Sequence, residues 1–311
     1  FDPLAHTDLT LFDRVKVHDD KIPKIAMKRL KIPEEFKQVI LKEKNDYLLP
    51  VQYLAIREGL LKGENLLVVS ATGSGKTLVG ELAGITQALE GKKFVFLTNS
   101  PEKTPHELSK KLERMGLAVS ADHFFTSAMA TAAFLSSQKP GCTAYVIGEG
   151  ALSKALYDQG IYMNDVNPDY VVVGETRTYS FEKIEKAIEL VLKGAKLIGT
   201  NPDITGPTEK GIMPATGSLI APIEIATGKK AYFVGKPNPV MLRHGLRKLG
   251  CHSEEIAFIG DRMDTDIIAG IESNVDTVLV LSGVTSMETI DLFPYRPKYI
   301  FENVGEILTR E

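Results

Sequence analysis

A series of short apolar runs, most of them separated by helical segments, constrains the fold of this chain more than any other feature. The runs occupy residues 66–70, 93–99, 143–148, 169–175, 195–201, 231–235, 256–261 and 276–283. Near-continuous apolar strands that alternate with helices are typical of parallel sheets covered on both faces. We therefore predict an α/β fold built on parallel sheets.

Ligands of such folds bind just beyond the carboxyl ends of the strands. This rule directs attention to the residues that follow each run, namely 71–77, 98–100, 174–178, 200–203, 235–237 and 260–266.

Composition excludes several classes of function. The 311 residues are 43% hydrophobic and 25% charged, with a formal net charge of −3, so no basic excess points to a nucleic-acid partner. Cys142 and Cys251 have no CxxC spacing that would suggest a zinc site or a disulfide framework. No apolar run approaches the roughly 18 to 20 residues of a membrane span. A protein of the reducing cytoplasm is expected.

The first 62 residues have a different pattern. The stretches KIPEEFKQVILKEK (31–44) and PVQYLAIREGLLKG (50–63) place apolar side chains at helical spacing, and the second ends at a glycine. We predict an N-terminal helical extension over residues 1–62.

The stretch SATGSGKT (70–77) has the pattern of a phosphate-binding loop between a strand and a helix. Lys76 would reach the β and γ phosphates of a nucleotide, and the Thr77 hydroxyl would ligate Mg²⁺. The strict pattern has glycine or alanine where Ser70 stands, and a chance Gly-Ser turn is the alternative. The candidate nucleotide-binding residues of the loop are Thr72, Gly73, Ser74, Gly75, Lys76 and Thr77.

Residues 1–92 resemble the start of a superfamily 2 helicase, from the Q-motif to motif I, in the stretch LLPVQYLAIREGLLKGENLLVVSATGSGKT (48–77). The resemblance implies that Gln52 would read the edge of an adenine base. It ends there, because such helicases need an Asp-Glu pair after a later strand, and VVVGE (171–175) supplies only the glutamate.

From about residue 92 the chain resembles the haloacid dehalogenase-like phosphatases of the NagD-like branch, which hydrolyse nucleotide monophosphates and 4-nitrophenyl phosphate. The motifs that carry the resemblance are FVFLTNS, FFTSAMATAAFL, DVNPDYVVVGETR, GTNPD, VGKPNPVML and FIGDRMDTDIIAG. It implies a Rossmann-like core over residues 63–105 and 226–311, in which 63–92 form the βα unit with the phosphate loop. Residues 106–225 would form an inserted α/β cap.

The resemblance also assigns roles to five residues. Thr98 would donate its hydroxyl to a phosphoryl oxygen with Asn99 beside it, and Lys236 would neutralise the phosphate. Asp261 would ligate Mg²⁺, together with Thr77 of the phosphate loop if both lie at one site, and Asp266 would support the site. Each of these residues has a simpler interpretation as a helix cap or a turn. The expected substrate is a small phosphorylated molecule or a nucleotide, and a homo-oligomer remains open.

The aspartate nucleophile of that family, in a DxDG motif after the first strand, has no counterpart in this chain. HDDK (18–21) and TLFDRV (10–15) lack the glycine and the preceding strand. We therefore expect impaired phosphatase activity and a recombinant origin, with a junction between residues 85 and 97. The alternatives are a Mg-nucleotide-binding module and an ATP-dependent nucleic-acid enzyme.

Overall fold

The computed structural model describes residues 93–114, 119–208 and 211–302. The strands in this part of the chain are Phe96–Thr98 (β1), Phe124–Thr126 (β2), Thr143–Ile147 (β3), Tyr162–Met163 (β4), Tyr170–Val173 (β5), Lys196–Gly199 (β6), Thr205–Thr208 (β7), Gly211–Pro214 (β8), Tyr232–Phe233 (β9), Ala257–Gly260 (β10), Asp276–Val280 (β11) and Tyr299–Phe301 (β12). The α-helices are Pro105–Arg114 (α1), Ser127–Gln138 (α2), Gly150–Asp158 (α3), Phe181–Leu192 (α4), Thr216–Thr227 (α5), Pro239–Leu249 (α6), Ile268–Glu272 (α7) and Met287–Ile290 (α8).

The strands form parallel sheets, apart from one antiparallel hairpin. The largest sheet has the order β4-β3-β5-β6-β9, a second has the order β10-β11-β12, and β1 pairs with β2. The hairpin joins β7 to β8. Because the carboxyl ends of parallel strands share one edge of a sheet, the residues that follow β5, β6 and β9 lie at a common edge.

Local sequence signals account for where several helices begin and end. Thr126 caps α2 by accepting a hydrogen bond from the backbone N–H of Met129, and Asn238 caps α6 by accepting one from Val240. Pro239, at the first position of α6, has the backbone angle that a helix start requires. Gly250 ends the same helix with a φ of 65°, a left-handed conformation that favours glycine.

Apolar side chains from the strands and their covering helices form the core. Val171, Val172 and Val173 of β5 are fully buried, as expected for a strand covered on both faces. Ala130 and Ala132 of α2 are also fully buried. Their small side chains bring this helix close to its neighbours.

The prediction of a Rossmann-like α/β fold with parallel sheets is confirmed. All of the apolar runs that fall in the described residues contain a strand. The sequence analysis missed β2, β4, β12 and the β7–β8 hairpin. The division at residues 105/106 and 225/226 stays a prediction; β2 pairs with β1, and β9 pairs with β6, so strand pairing crosses both boundaries.

Candidate active site

A buried ion pair lies between the end of β1 and the turn that follows β10. Lys236 Nζ is 2.7 Å from Asp266 Oδ1 and 3.3 Å from the carbonyl oxygen of Leu97. Lys236 is 6% exposed and Asp266 is 2% exposed. A charge buried this deeply is stable only when it is paired, so the two side chains hold each other in position.

The backbone of the loop after β10 is shaped to accept the Asp266 side chain. Residues Met263–Ile267 form a π-helical turn, a geometry that recurs at functional sites. A Cβ atom on Gly260 would lie 2.2 Å from the Cβ of Asp266, so only glycine fits at the end of β10. Arg262 N donates a hydrogen bond to Asp266 Oδ2 at 3.2 Å.

Asp261, the first residue after β10, is enclosed by the loop that follows β11. Val284 N donates to Asp261 Oδ2 at 3.0 Å, and Thr285 N donates to the Asp261 backbone carbonyl. A Cβ on Gly283 would lie only 1.9 Å from Asp261 Oδ2. Burial, followed by the nearby charge of Asp266, raises the pKa of the Asp261 carboxyl.

Asn99 joins the end of β1 to the loops after β6 and β9. Its side-chain Oδ1 accepts a hydrogen bond from Lys236 N at 2.8 Å, and its Nδ2 donates to the Lys236 carbonyl at 3.0 Å. Its own carbonyl accepts from Asn201 Nδ2 and from Ser127 Oγ. The neighbouring Thr98 Oγ1 accepts from Ser100 N, which leaves the hydroxyl proton available for another acceptor.

Asp203, in the loop after β6, links Asn99 to the β10 loop. Asn99 Nδ2 donates to Asp203 Oδ2 at 2.9 Å, and Asp203 Oδ1 lies 3.6 Å from an Arg262 guanidinium nitrogen. Burial raises the pKa of Asp203, although Asn99 and the two nearby cations oppose that shift. Polar side chains from five strand ends therefore meet in one network.

Glu175, at the end of β5, belongs to the same network. Its Oε1 accepts a hydrogen bond from Asn201 Nδ2 at 3.2 Å. Burial, and secondarily the charges of Glu102 and Asp203, raise its pKa to about 7. A carboxyl group of this kind is partly protonated near neutral pH.

The raised pKa predicts a pH-dependent loss of stability. The folded protein binds a proton on Glu175 more tightly than the unfolded chain, so the free energy of unfolding falls as pH rises from about 4.5 to 7. Replacement by glutamine should remove this fall. At pH 8 we expect Glu175→Gln to be more stable than the wild type by at most about 3 kcal/mol, with no such gain at pH 4.5.

Urea denaturation at the two pH values measures the effect. Glu149→Gln is the matched control, because hydrogen bonds from Arg177 N and Thr176 Oγ1 lower the pKa of Glu149. That variant should lose stability at pH 8. A Glu175→Gln protein with no gain at pH 8 would contradict the assignment of a raised pKa.

The chemistry of the carboxylates is compatible with one hard divalent cation. Asp261 Oδ2 is engaged by Val284 N, whereas the other oxygen receives no hydrogen bond from another described residue. Both oxygens of Asp266 are engaged by Lys236 and Arg262, so Asp261 is the available ligand. Within the described ranges no group of three or more acidic, histidine or cysteine side chains forms a metal cluster. Mg²⁺ commonly binds through one or two carboxylates, with water and substrate phosphate completing its shell.

The structure brings together the five residues that the sequence analysis assigned to a phosphatase site: Thr98, Asn99, Lys236, Asp261 and Asp266. Their roles stay predictions. Gln52 and the phosphate loop, Thr72, Gly73, Ser74, Gly75, Lys76 and Thr77, lie outside the described residues, so Thr77 as a second metal ligand also stays a prediction.

Sequence reasoning did not assign Glu175, Asn201, Asp203 or Arg262 to the site. The rule of the carboxyl ends pointed to the segments that contain them, since 174–178, 200–203 and 260–266 each follow an apolar run. Their mutual contacts depend on how distant strands lie side by side.

Comparison with known proteins identifies the family. A haloacid dehalogenase-like hydrolase profile matches residues 76–162, and a HAD-hydrolase-like profile matches residues 233–307. The chain is 49% identical over 215 residues to dihydroxyacetone phosphatase of Corynebacterium glutamicum, covering 69% of this chain and 78% of that protein. The chain belongs to the haloacid dehalogenase-like hydrolases.

Two further relatives agree with this assignment. This chain is 47% identical over 218 residues to ribonucleotide monophosphatase NagD of Escherichia coli K12. The match covers 70% of this chain and 86% of NagD. The solved structure of 4-nitrophenylphosphatase from Thermotoga maritima has a TM-score of 0.72 at 31% identity, covering 81% of this chain and 98% of that one.

These findings do not support a helicase-like interpretation of residues 1–92 or a recombinant origin. The first family match begins at residue 76 and therefore includes Lys76, Thr77 and the predicted junction between residues 85 and 97.

In the described part of the chain, no helix is long and apolar enough to cross a membrane.

Proposed function

We propose that this haloacid dehalogenase-like hydrolase binds small phosphate monoesters together with Mg²⁺ and hydrolyses them, at a rate below that of its relatives. The observation that carries the proposal is the convergence of Thr98, Lys236, Asp261 and Asp266 at one edge of the parallel sheets. Its relatives include a dihydroxyacetone phosphatase and a ribonucleotide monophosphatase, which supports this proposal.

Each side chain has a part in this proposal. The Thr98 hydroxyl and the Lys236 ammonium group bind phosphoryl oxygens, and the ammonium group offsets their negative charge. Asp261 holds Mg²⁺, which would polarise the phosphoryl group when bound. Asp266 orients the Lys236 side chain through the 2.7 Å ion pair.

The charge balance of this network is the reason that we propose a divalent cation for phosphate binding. Asp203, Asp261 and Asp266 are three carboxylates near Lys236 and Arg262. A phosphate dianion that approaches this group would meet an excess of negative charge. A divalent cation on Asp261 would reverse that balance.

The reduced rate follows from the sequence before β1. Residues 1–95 contain no DxDG motif, so this segment offers neither that aspartate for attack on phosphorus nor its partner for proton transfer. Hydrolysis would then proceed by direct attack of solvent water on phosphorus, without a covalent intermediate, and would release the ester alcohol and inorganic phosphate.

Phosphate release from 4-nitrophenyl phosphate, assayed beside Escherichia coli NagD, tests the proposal. We expect a measurable rate that requires Mg²⁺, is abolished by a chelator and lies at least about a hundredfold below that of NagD. A rate that does not depend on Mg²⁺, or no measurable rate, would contradict the proposed Mg²⁺-dependent hydrolysis. A Mg²⁺-dependent rate equal to that of NagD would contradict only the proposed reduction in rate and would leave the proposed phosphatase activity in place.

A further inference from the structure

We propose that Glu175 is a specificity-determining residue, whose carboxyl group hydrogen-bonds a hydroxyl group on the organic part of the substrate and so favours polyol phosphates over aryl phosphates. The inference rests on the proposed function and names a substrate class for the same site.

The position of Glu175 is fixed relative to Thr98 and the residues that follow it. A Cβ on the preceding Gly174 would lie 3.3 Å from the Pro101 ring and 2.9 Å from Leu152 Cδ2, so the end of β5 packs tightly against the residues after Thr98. The Asn201 amide, which donates to Glu175 Oε1, also donates to the carbonyl of Asn99. Glu175 thus lies beside the phosphate-binding residues and one side chain away from Asn99.

The described residues leave this carboxyl group incompletely hydrogen-bonded. Its one hydrogen bond among the described residues is the 3.2 Å contact from Asn201 to Oε1, and Oε2 accepts none from them. Among the described residues, the charged groups that act on it are the carboxylates of Glu102 and Asp203, and both repel its charge. A half-buried carboxyl group without a cation destabilises the fold, which a purely structural role does not explain.

The nearby Glu149 carboxylate differs from Glu175 in that it accepts two short hydrogen bonds. It precedes α3, and its Oε1 accepts hydrogen bonds from Thr176 Oγ1 at 2.8 Å and Arg177 N at 3.0 Å. Glu149 therefore stabilises the segment that follows Glu175, whereas Glu175 has one oxygen that no described residue engages.

A substrate hydroxyl fits the free oxygen better than other groups do. A hydroxyl group can donate to the carboxylate or accept from the protonated acid, so the contact persists in both states of Glu175. An aryl leaving group offers no such partner. An anionic leaving group would be repelled by Glu102, Asp203 and the ionised form of Glu175.

Steady-state kinetics of the full chain with Mg²⁺ test the inference, using ribose 5-phosphate and glycerol 3-phosphate against 4-nitrophenyl phosphate. We expect Glu175→Met to lower kcat/KM for the two polyol phosphates about tenfold and to change that for 4-nitrophenyl phosphate by less than about twofold. Glu175→Gln, which keeps a hydrogen-bonding group, should lie between the wild type and Glu175→Met. The matched control, Glu149→Gln, should leave the ratio between substrate classes unchanged.

Calorimetric dissociation constants for the same three esters, with Mg²⁺, give a second readout if turnover is too slow. The same pattern of ratios is expected. An equal loss for all three esters, or no loss for any, would overturn the role of Glu175 while leaving the proposed function intact. A wild-type protein that neither binds nor hydrolyses any ester would overturn both.

Discussion

Replacing Lys236 by methionine should destabilise the folded protein by about 3 to 5 kcal/mol, because Asp266 would then be a buried charge without its partner. Methionine keeps much of the apolar length of the lysine side chain, so the loss comes mainly from the missing ammonium group. The Leu97 carbonyl would also lose the hydrogen bond from Lys236 Nζ. Chemical denaturation monitored by circular dichroism gives the free energy of unfolding directly.

The double variant Lys236→Met/Asp266→Asn separates the ion pair from packing. Removing both charges should recover a large part of the loss, since neither buried charge then lacks a partner. Both variants should lose the phosphate binding of the wild type, because Lys236 supplies the positive charge at the site. If the double variant were no more stable than Lys236→Met, the buried pair would not be the cause of the instability.

The variant Asp261→Asn should lose at least about a hundredfold in Mg²⁺-dependent hydrolysis while the fold remains intact. The amide keeps an oxygen that can accept the hydrogen bond from Val284 N, but it cannot supply a negative charge to the metal. Removing the charge also relieves repulsion between Asp261 and Asp266, so we expect stability to be unchanged or raised by about 1 kcal/mol.

Asp264→Asn is the matched control for that measurement. Asp264 is on the same loop, but it is exposed and pairs with the Arg262 guanidinium at 2.7 Å. Its replacement should change the rate by no more than a few-fold. An Asp261→Asn protein with wild-type activity and Mg²⁺ affinity would show that the metal binds elsewhere.

The relation between sequence and structure differs between the strands and the site. β5 and β10 were predictable because each lies in an apolar run of four or more residues, bounded by glycine and polar residues. β4 has only two residues, and β2 and β12 have three each. Runs of that length give no recognisable periodicity, and their pairing depends on neighbouring strands.

Site residues that belong to a single recognisable motif were predictable from the sequence. Contacts between distant segments were not. Lys236, Asp261 and Asp266 follow apolar runs within recognisable motifs, and the structure places them together. The contact between Asn99 and Asp203 spans 104 positions. Nothing in the local sequence specifies such a pair, because the parallel order of the strands creates it.

The dissociation constant of inorganic phosphate, measured by calorimetry with and without Mg²⁺ for the wild type and Asp261→Asn, tests the central claim most directly. The proposed site predicts that wild-type binding requires Mg²⁺ and that Asp261→Asn binds phosphate at least about tenfold more weakly. Equal binding by the two proteins, or binding that does not depend on Mg²⁺, would contradict a metal-assisted phosphate site at this edge of the sheets.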